Sequence, residues 1–129
     1  MQKESAKYLT FRLGGDTYAL EVGRVHEIMG IQQITAVPKA PAYVKGVIIL
    51  RGTAIPVVDM RLKFGLPERE FTRRTCIIVV QTSGQLLIGL IVDRVSEVLT
   101  VNGSALKGKI KILPDVDKLL PVHERLGII

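Results

Sequence analysis

The side chains most able to do chemistry in this sequence are Cys76, His26, His123 and the carboxylates Asp59 and Asp93. Each chemistry makes a demand on spacing. A zinc site needs several His, Cys, Asp or Glu ligands gathered together. His26 and His123 stand far apart with no neighbouring ligand pattern, so each reads as a surface or structural residue, and no metal is expected. A nucleophilic cysteine needs a base in reach and a depressed pKa. Cys76 opens an apolar run and reads as a small buried hydrophobe. Asp59 and Asp93 each follow an apolar run, a placement open to a carboxylate pair. The simpler reading is that each caps the next element or pairs with a local arginine, Arg61 near Asp59 and Arg94 beside Asp93. Gly14-Gly15 joins two strand-like runs and so is turn chemistry, not a phosphate cradle. No constellation supports catalysis, and no cofactor is implied.

The elements that must position these residues read mostly as strands. Tyr8 to Leu13 turns at Gly14-Gly15-Asp16 and returns over Thr17 to Val22. Gly23 to Met29 places Val25, Ile28 and Met29 at helical spacing and predicts one or two helical turns. Pro38 and Pro41 then make a stiff, extended connector. Val44 to Leu50 and Thr53 to Val58 flank an Arg51-Gly52 turn, and Asp59 N-caps a short helix to Phe64, ended by Gly65. Leu66 to Arg74 is a polar loop. Cys76 to Gln81 and Leu86 to Val92 pair around Ser83-Gly84, Lys109 to Leu113 forms a last strand, and Asp115 to Leu120 forms a closing helical turn.

The chain has 129 residues, 47% of them apolar, which suits one globular domain over 1–129. Its net charge of +6 raises nucleic acid as a partner. The basic residues are dispersed, with Arg73-Arg74 and the alternating Lys107, Lys109 and Lys111 as the tightest groups. Stacking platforms are few, with three Phe, three Tyr and no Trp, so nucleic-acid binding is not expected. A steep salt dependence would reveal it. One cysteine excludes an intramolecular disulfide, and the polar N-terminal residues lack a secretory apolar stretch. The longest apolar runs are too short to span a bilayer. A cytoplasmic protein is expected, meeting membranes only through partners.

An internal repeat organises the chain. Residues 20–29 (LEVGRVHEIM) lie beside 90–99 (LIVDRVSEVL), with the same Leu, Val, Arg, Val and Glu in register. Each copy follows a hairpin-like pair. The repeat predicts two similar β subdomains that share one core, since neither half buries enough alone.

The segment from Ile34 to Arg61 resembles the signature of CheW-like domains: a proline connector, Gly46-Val47-Ile48, Leu50-Arg51-Gly52, Pro56 and Asp59, in the family's order. Gly89 to Val95 is similar to its second motif, and Tyr8 to Ile28 to its opening hairpin. The resemblance is clear over residues 8–101. It implies an all-β fold of two interleaved, SH3-like five-stranded barrels with one or two short helices, without catalysis. It implies an adaptor between the cytoplasmic tip of chemoreceptors and the regulatory domain of the CheA histidine kinase, or a coupling protein of a type IV pilus or other chemosensory pathway. Leu9, Val22, Val25, Ile28 and Val95 match the apolar groove that receives a receptor helix. Arg51 with Gly52 at the hairpin turn, and Arg94, are the polar candidates for partner contact, Arg being suited to interface carboxylates. Two departures stand out. Ile49 occupies the place of the family's Asn, and the stretch between Val101 and Lys109 is shorter than the family's. The second barrel is therefore expected to be abridged, leaving an edge open to another chain.

Overall fold

The computed structural model describes residues 6–101, 110–113 and 116–119. Its strands are β1 (Ala6–Leu13), β2 (Asp16–Glu21), β3 (Val25–Gly30), β4 (Val44–Leu50), β5 (Thr53–Asp59), β6 (Cys76–Gln81), β7 (Leu87–Val92), β8 (Arg94–Val101) and β9 (Ile110–Ile112). A short helix, α1 (Met60–Lys63), follows β5, and 3₁₀ turns cover Val22–Arg24 and Val116–Lys118. The strands form a four-stranded sheet, β8-β1-β2-β9, and a five-stranded sheet, β3-β6-β7-β5-β4. The all-β reading holds: among the described residues one sheet has four strands and the other five.

The sequence alternation explains the layers. Leu9, Phe11, Leu13 and Leu20 of the smaller sheet face Ile78, Val80, Leu90 and Val92 of the larger, building one core between the two. The other face of the five-stranded sheet encloses a second cluster of Ile48, Ile55, Val57, Ile77, Val79 and Ile91. That enclosure requires the sheet to curl. The segment after β3 meets β4 where Thr35 N–H donates to the Val47 carbonyl at 2.9 Å and Val47 N–H donates to the Thr35 carbonyl at 2.8 Å. Gly46 makes the approach possible. It sits at φ +144°, and a Cβ there would lie 2.0 Å from the Thr35 carbonyl oxygen.

The interleaving comes from the repeat. Residues 20–29 carry the chain from β2 in the smaller sheet to β3 in the larger, and 90–99 carry it from β7 back to β8. Here the structure corrects the helical reading of Gly23 to Met29, which is a 3₁₀ turn followed by a strand. Val25 opposes Val80 and Glu27 opposes Val79, so His26 is a bulge residue. One extra residue puts Val25 and Ile28, three apart, on the same face of a strand, and a spacing of three imitates a helix. The second copy repeats the device: Val95 opposes Phe11, Glu97 opposes Thr10, and Ser96 is the extra residue. The Thr10 hydroxyl locks that bulge, accepting from Glu97 N–H at 3.2 Å and donating to the Glu97 carbonyl at 3.0 Å.

Candidate functional site

The repeated positions converge on the layer between the sheets. Leu20 and Leu90 are buried there, and Val22, Val25 and Val95 pack against it partly exposed. Ile28 lies opposite the buried Ile78 at the edge of the larger sheet, yet remains 44% exposed. Its repeat counterpart Val98 lies opposite the buried Leu9 at the edge of the smaller sheet and is 54% exposed. Val22, Val25, Ile28, Val95 and Val98 thus present apolar surface where the shared core meets solvent along two edge strands. Exposed apolar side chains at such a margin make it a candidate interaction surface. Leu9 does not join them. It is 3% exposed, a core residue that supports Val98 from beneath. Val98 was absent from the sequence-based candidates. The repeat contained the signal for it, because aligning 20–29 with 90–99 places Val98 on Ile28.

Arg51 and Gly52 form the tip of the β4–β5 hairpin, with φ of 48° and 84° and Leu50 opposite Thr53. Two successive positive φ values define a type I′ turn, which suits glycine and strains arginine. The exposed Arg51 guanidinium reaches across the curled sheet to the Glu27 carboxylate on β3. Arg94 is exposed at the start of β8, directly opposite Arg12 on β1.

The two aspartates are structural. Asp59 caps α1 as expected, accepting from Arg61 N–H at 2.9 Å and Leu62 N–H at 3.3 Å. Asp93 corrects the local reading: its partner is Arg61, thirty-two positions away in sequence, and not Arg94. Arg61 Nε and Nη2 donate to the two Asp93 oxygens at 2.8 and 2.9 Å, and Gly14 N–H donates to Oδ2 at 2.8 Å. Arg61 Nη1 donates to the Pro67 carbonyl at 3.0 Å. Burial pushes the Asp93 carboxyl up, but the Arg61 and Gly14 hydrogen bonds outweigh it and hold the group below the ordinary carboxylate value. The bond to Asp93 likewise raises Arg61. A carboxylate so engaged ties the β1–β2 turn, α1 and the β7–β8 crossover into one unit.

Cys76 is partly buried, and its thiol donates to the Arg74 carbonyl at 3.2 Å. His26 is exposed at its bulge, and His123 lies outside the described residues. Among the described residues no three His, Cys, Asp or Glu side chains gather as metal ligands. No helix among them is long and apolar enough to cross a membrane. The apolar margin is the candidate binding surface.

Comparison with known proteins agrees in kind. The profile of the CheW-like domain matches residues 7–124. The chain is 32% identical to the chemotaxis protein CheW of Klebsiella aerogenes, over 92% of this chain and 83% of that one. It is 34% identical to the chemotaxis protein CheW of Rhizobium meliloti, over 94% and 96%. The crystal structure of the scaffolding protein TtCheW from Thermoanaerobacter tengcongensis superposes with a TM-score of 0.73 at 37% identity, covering 78% of this chain and 68% of that one.

Proposed function

Because the chain belongs to the CheW-like domain family, we propose that it is a non-catalytic coupling protein joining chemoreceptors to a CheA-type histidine kinase. The observation that carries this reading is the family match across nearly the whole chain, at residues 7–124. The geometry suggests how the work is divided. Val22, Val25, Ile28, Val95 and Val98 offer a helical receptor tip an apolar strip, the surface on which a helix lays its anchors. Arg51, Gly52 and Arg94 lie outside that strip and serve a second, polar contact with receptor or kinase. Arg51 would exchange Glu27 for a partner carboxylate, and its strained turn holds the guanidinium outward for that exchange. The protein works in the cytoplasm and reaches the membrane through receptors.

Titration calorimetry against a CheA regulatory domain and a receptor cytoplasmic fragment tests the reading. Wild type should bind both. Val98→Asp should weaken receptor-fragment binding by about thirtyfold or more, the scale of an interface hot spot. Because Val98 is half exposed, the thermal midpoint should hardly move. Arg51→Ala should weaken at least one partner and leave the fold intact. A folded protein that binds neither partner would refute the assignment.

A further inference from the structure

The two sheets follow one plan. Each has an edge strand, β3 or β8, laid antiparallel on a hairpin, β6–β7 or β1–β2. Each then has a strand parallel to the hairpin's second member, β5 on β7 and β9 on β2, followed by a short helix or 3₁₀ turn. The larger sheet adds β4, antiparallel on the outer edge of β5. No described residue occupies the matching position beside β9. Residues 31–52 separate β3 from β5, whereas only residues 102–109 separate β8 from β9.

The polar groups of β9 point into that position. Leu113 N–H donates to the Ala19 carbonyl of β2 at 2.8 Å. Amide direction alternates along a strand, so Lys111 also faces β2, while Ile110 and Ile112 turn their N–H and C=O groups outward. Their side chains lie on the face bearing Ala19 and Tyr8, and Ile112 is 52% exposed. Lys111 lies on the opposite face, bonded to Asp16 at 3.1 Å, with its side chain more than half exposed.

We propose that the outer edge of β9 accepts a β-strand from a partner protein, running antiparallel as β4 does on β5. This goes beyond the coupling role and does not depend on it. The edge specifies the incoming sequence. Apolar residues would cover Ile110 and Ile112, and an acidic residue between them would meet Lys111. That is an alternating apolar–acidic strand, complementary also to the chain's net charge of +6. A second copy of β9 fits worse, because antiparallel pairing centred on this strand sets Lys111 opposite Lys111.

The test uses the full chain labelled for NMR and two synthetic peptides of equal length, one alternating valine with glutamate and one valine with lysine. The valine–glutamate peptide should shift the amides of Ile110 and Ile112 and slow their hydrogen exchange about tenfold or more. The valine–lysine peptide should bind about fivefold more weakly, and Lys111→Glu should reverse the order. Ile112→Pro removes an outward donor while sparing the bonds to β2, and should abolish binding. Ile112→Lys, which keeps the backbone donor, should weaken it. Slow exchange at Ile110 and Ile112 in the free monomer would overturn the proposal, because the edge would then be filled by the chain itself. Peptide shifts confined to other strands, or self-association through β9, would overturn it equally.

Discussion

The five-stranded sheet and the four-stranded sheet share a plan but differ by one strand among the described residues, and the difference separates the shared core from what is added to it. The core between them is built from β1, β2, β5, β6 and β7, from α1, and from Leu113, Val116 and Leu119 after β9, with Val25 of β3 and Val95 of β8 packed against it, the parts common to both halves. From β4 only Val44 reaches that core. What β4 adds lies elsewhere: Ile48 in the second cluster, the seam at Thr35 and Val47, and the Arg51 tip that contacts Glu27. Among the described residues the smaller sheet has neither. Its Glu97, the repeat counterpart of Glu27, is exposed and has no arginine-tipped hairpin among the described residues to meet. The interface between the sheets therefore draws little on the fifth strand, which serves the second cluster and the surface.

If the common parts carry the fold, the largest damage should come from Asp93, where the halves are joined. Asp93→Ala leaves the Arg61 guanidinium largely buried without its carboxylate and strips Gly14 N–H of its acceptor. Breaking one side of such a pair costs about 3–5 kcal/mol. Chemical denaturation should show that loss in a single transition, both sheets failing together. The double variant Arg61→Leu/Asp93→Leu should recover most of it, because no charge is then stranded. Acid provides the same test without mutation. The Asp93 carboxyl is held below its ordinary value, so its contribution is fully present above about pH 4 and is lost as pH falls through its lower folded value. Asp93→Asn should flatten that part of the stability–pH curve, and an unchanged curve would assign the acid sensitivity to other carboxylates.

The next largest effect should be confined to the larger sheet. Gly46→Ala forces a Cβ against the Thr35 carbonyl at a φ hostile to alanine, and should cost about 3 kcal/mol. Gly23→Ala meets open space and should change stability by less than about 1 kcal/mol. Hydrogen exchange would sharpen the comparison. Gly46→Ala should speed exchange at Thr35 and Val47 while leaving the β1–β2 amides protected. Equal loss in both sheets would show that the seam supports the shared core after all.

Most of this plan was legible in the sequence wherever the physics is local. Hairpins announced themselves through Gly14-Gly15, Arg51-Gly52 and Ser83-Gly84, and the α1 cap through Asp59. The repeat disclosed two similar halves sharing one core. The strand β3 was not legible, because the bulge at His26 resets the alternation and spaces Val25 and Ile28 like helical neighbours. The Asp93–Arg61 pair was hidden for another reason: Arg94 stands next to Asp93 in sequence, but β8 turns it toward Arg12 on the neighbouring strand. The depth of Leu9 was hidden because alternation shows that a side chain faces inward without showing how deeply. Val98 became visible only when the repeat was applied to the exposed positions.

The smallest expected effect is the most selective, because it compares two glutamates at equivalent places in the repeat. Glu27 accepts the Arg51 guanidinium across the curled sheet, while Glu97 stands exposed on the sheet without β4. An ion pair at this level of exposure contributes about 0.2–1 kcal/mol. Glu27→Gln should therefore lower stability by a few tenths of a kcal/mol at low salt, and the loss should shrink as salt rises. Glu97→Gln should leave it unchanged within about 0.5 kcal/mol at any salt. Arg51→Gly separates the two contributions at the tip. It removes the ion pair, but it also relieves the positive φ at residue 51, worth about 1 kcal/mol in the opposite sense. Arg51→Gly should thus be no less stable than wild type, and Arg51→Gly/Glu27→Gln should match it. If Arg51→Gly proves destabilising by more than 1 kcal/mol, the guanidinium holds the tip of the larger sheet in place. In that case the added strand does contribute to the fold, and the contrast drawn between the two halves fails at its most exposed point.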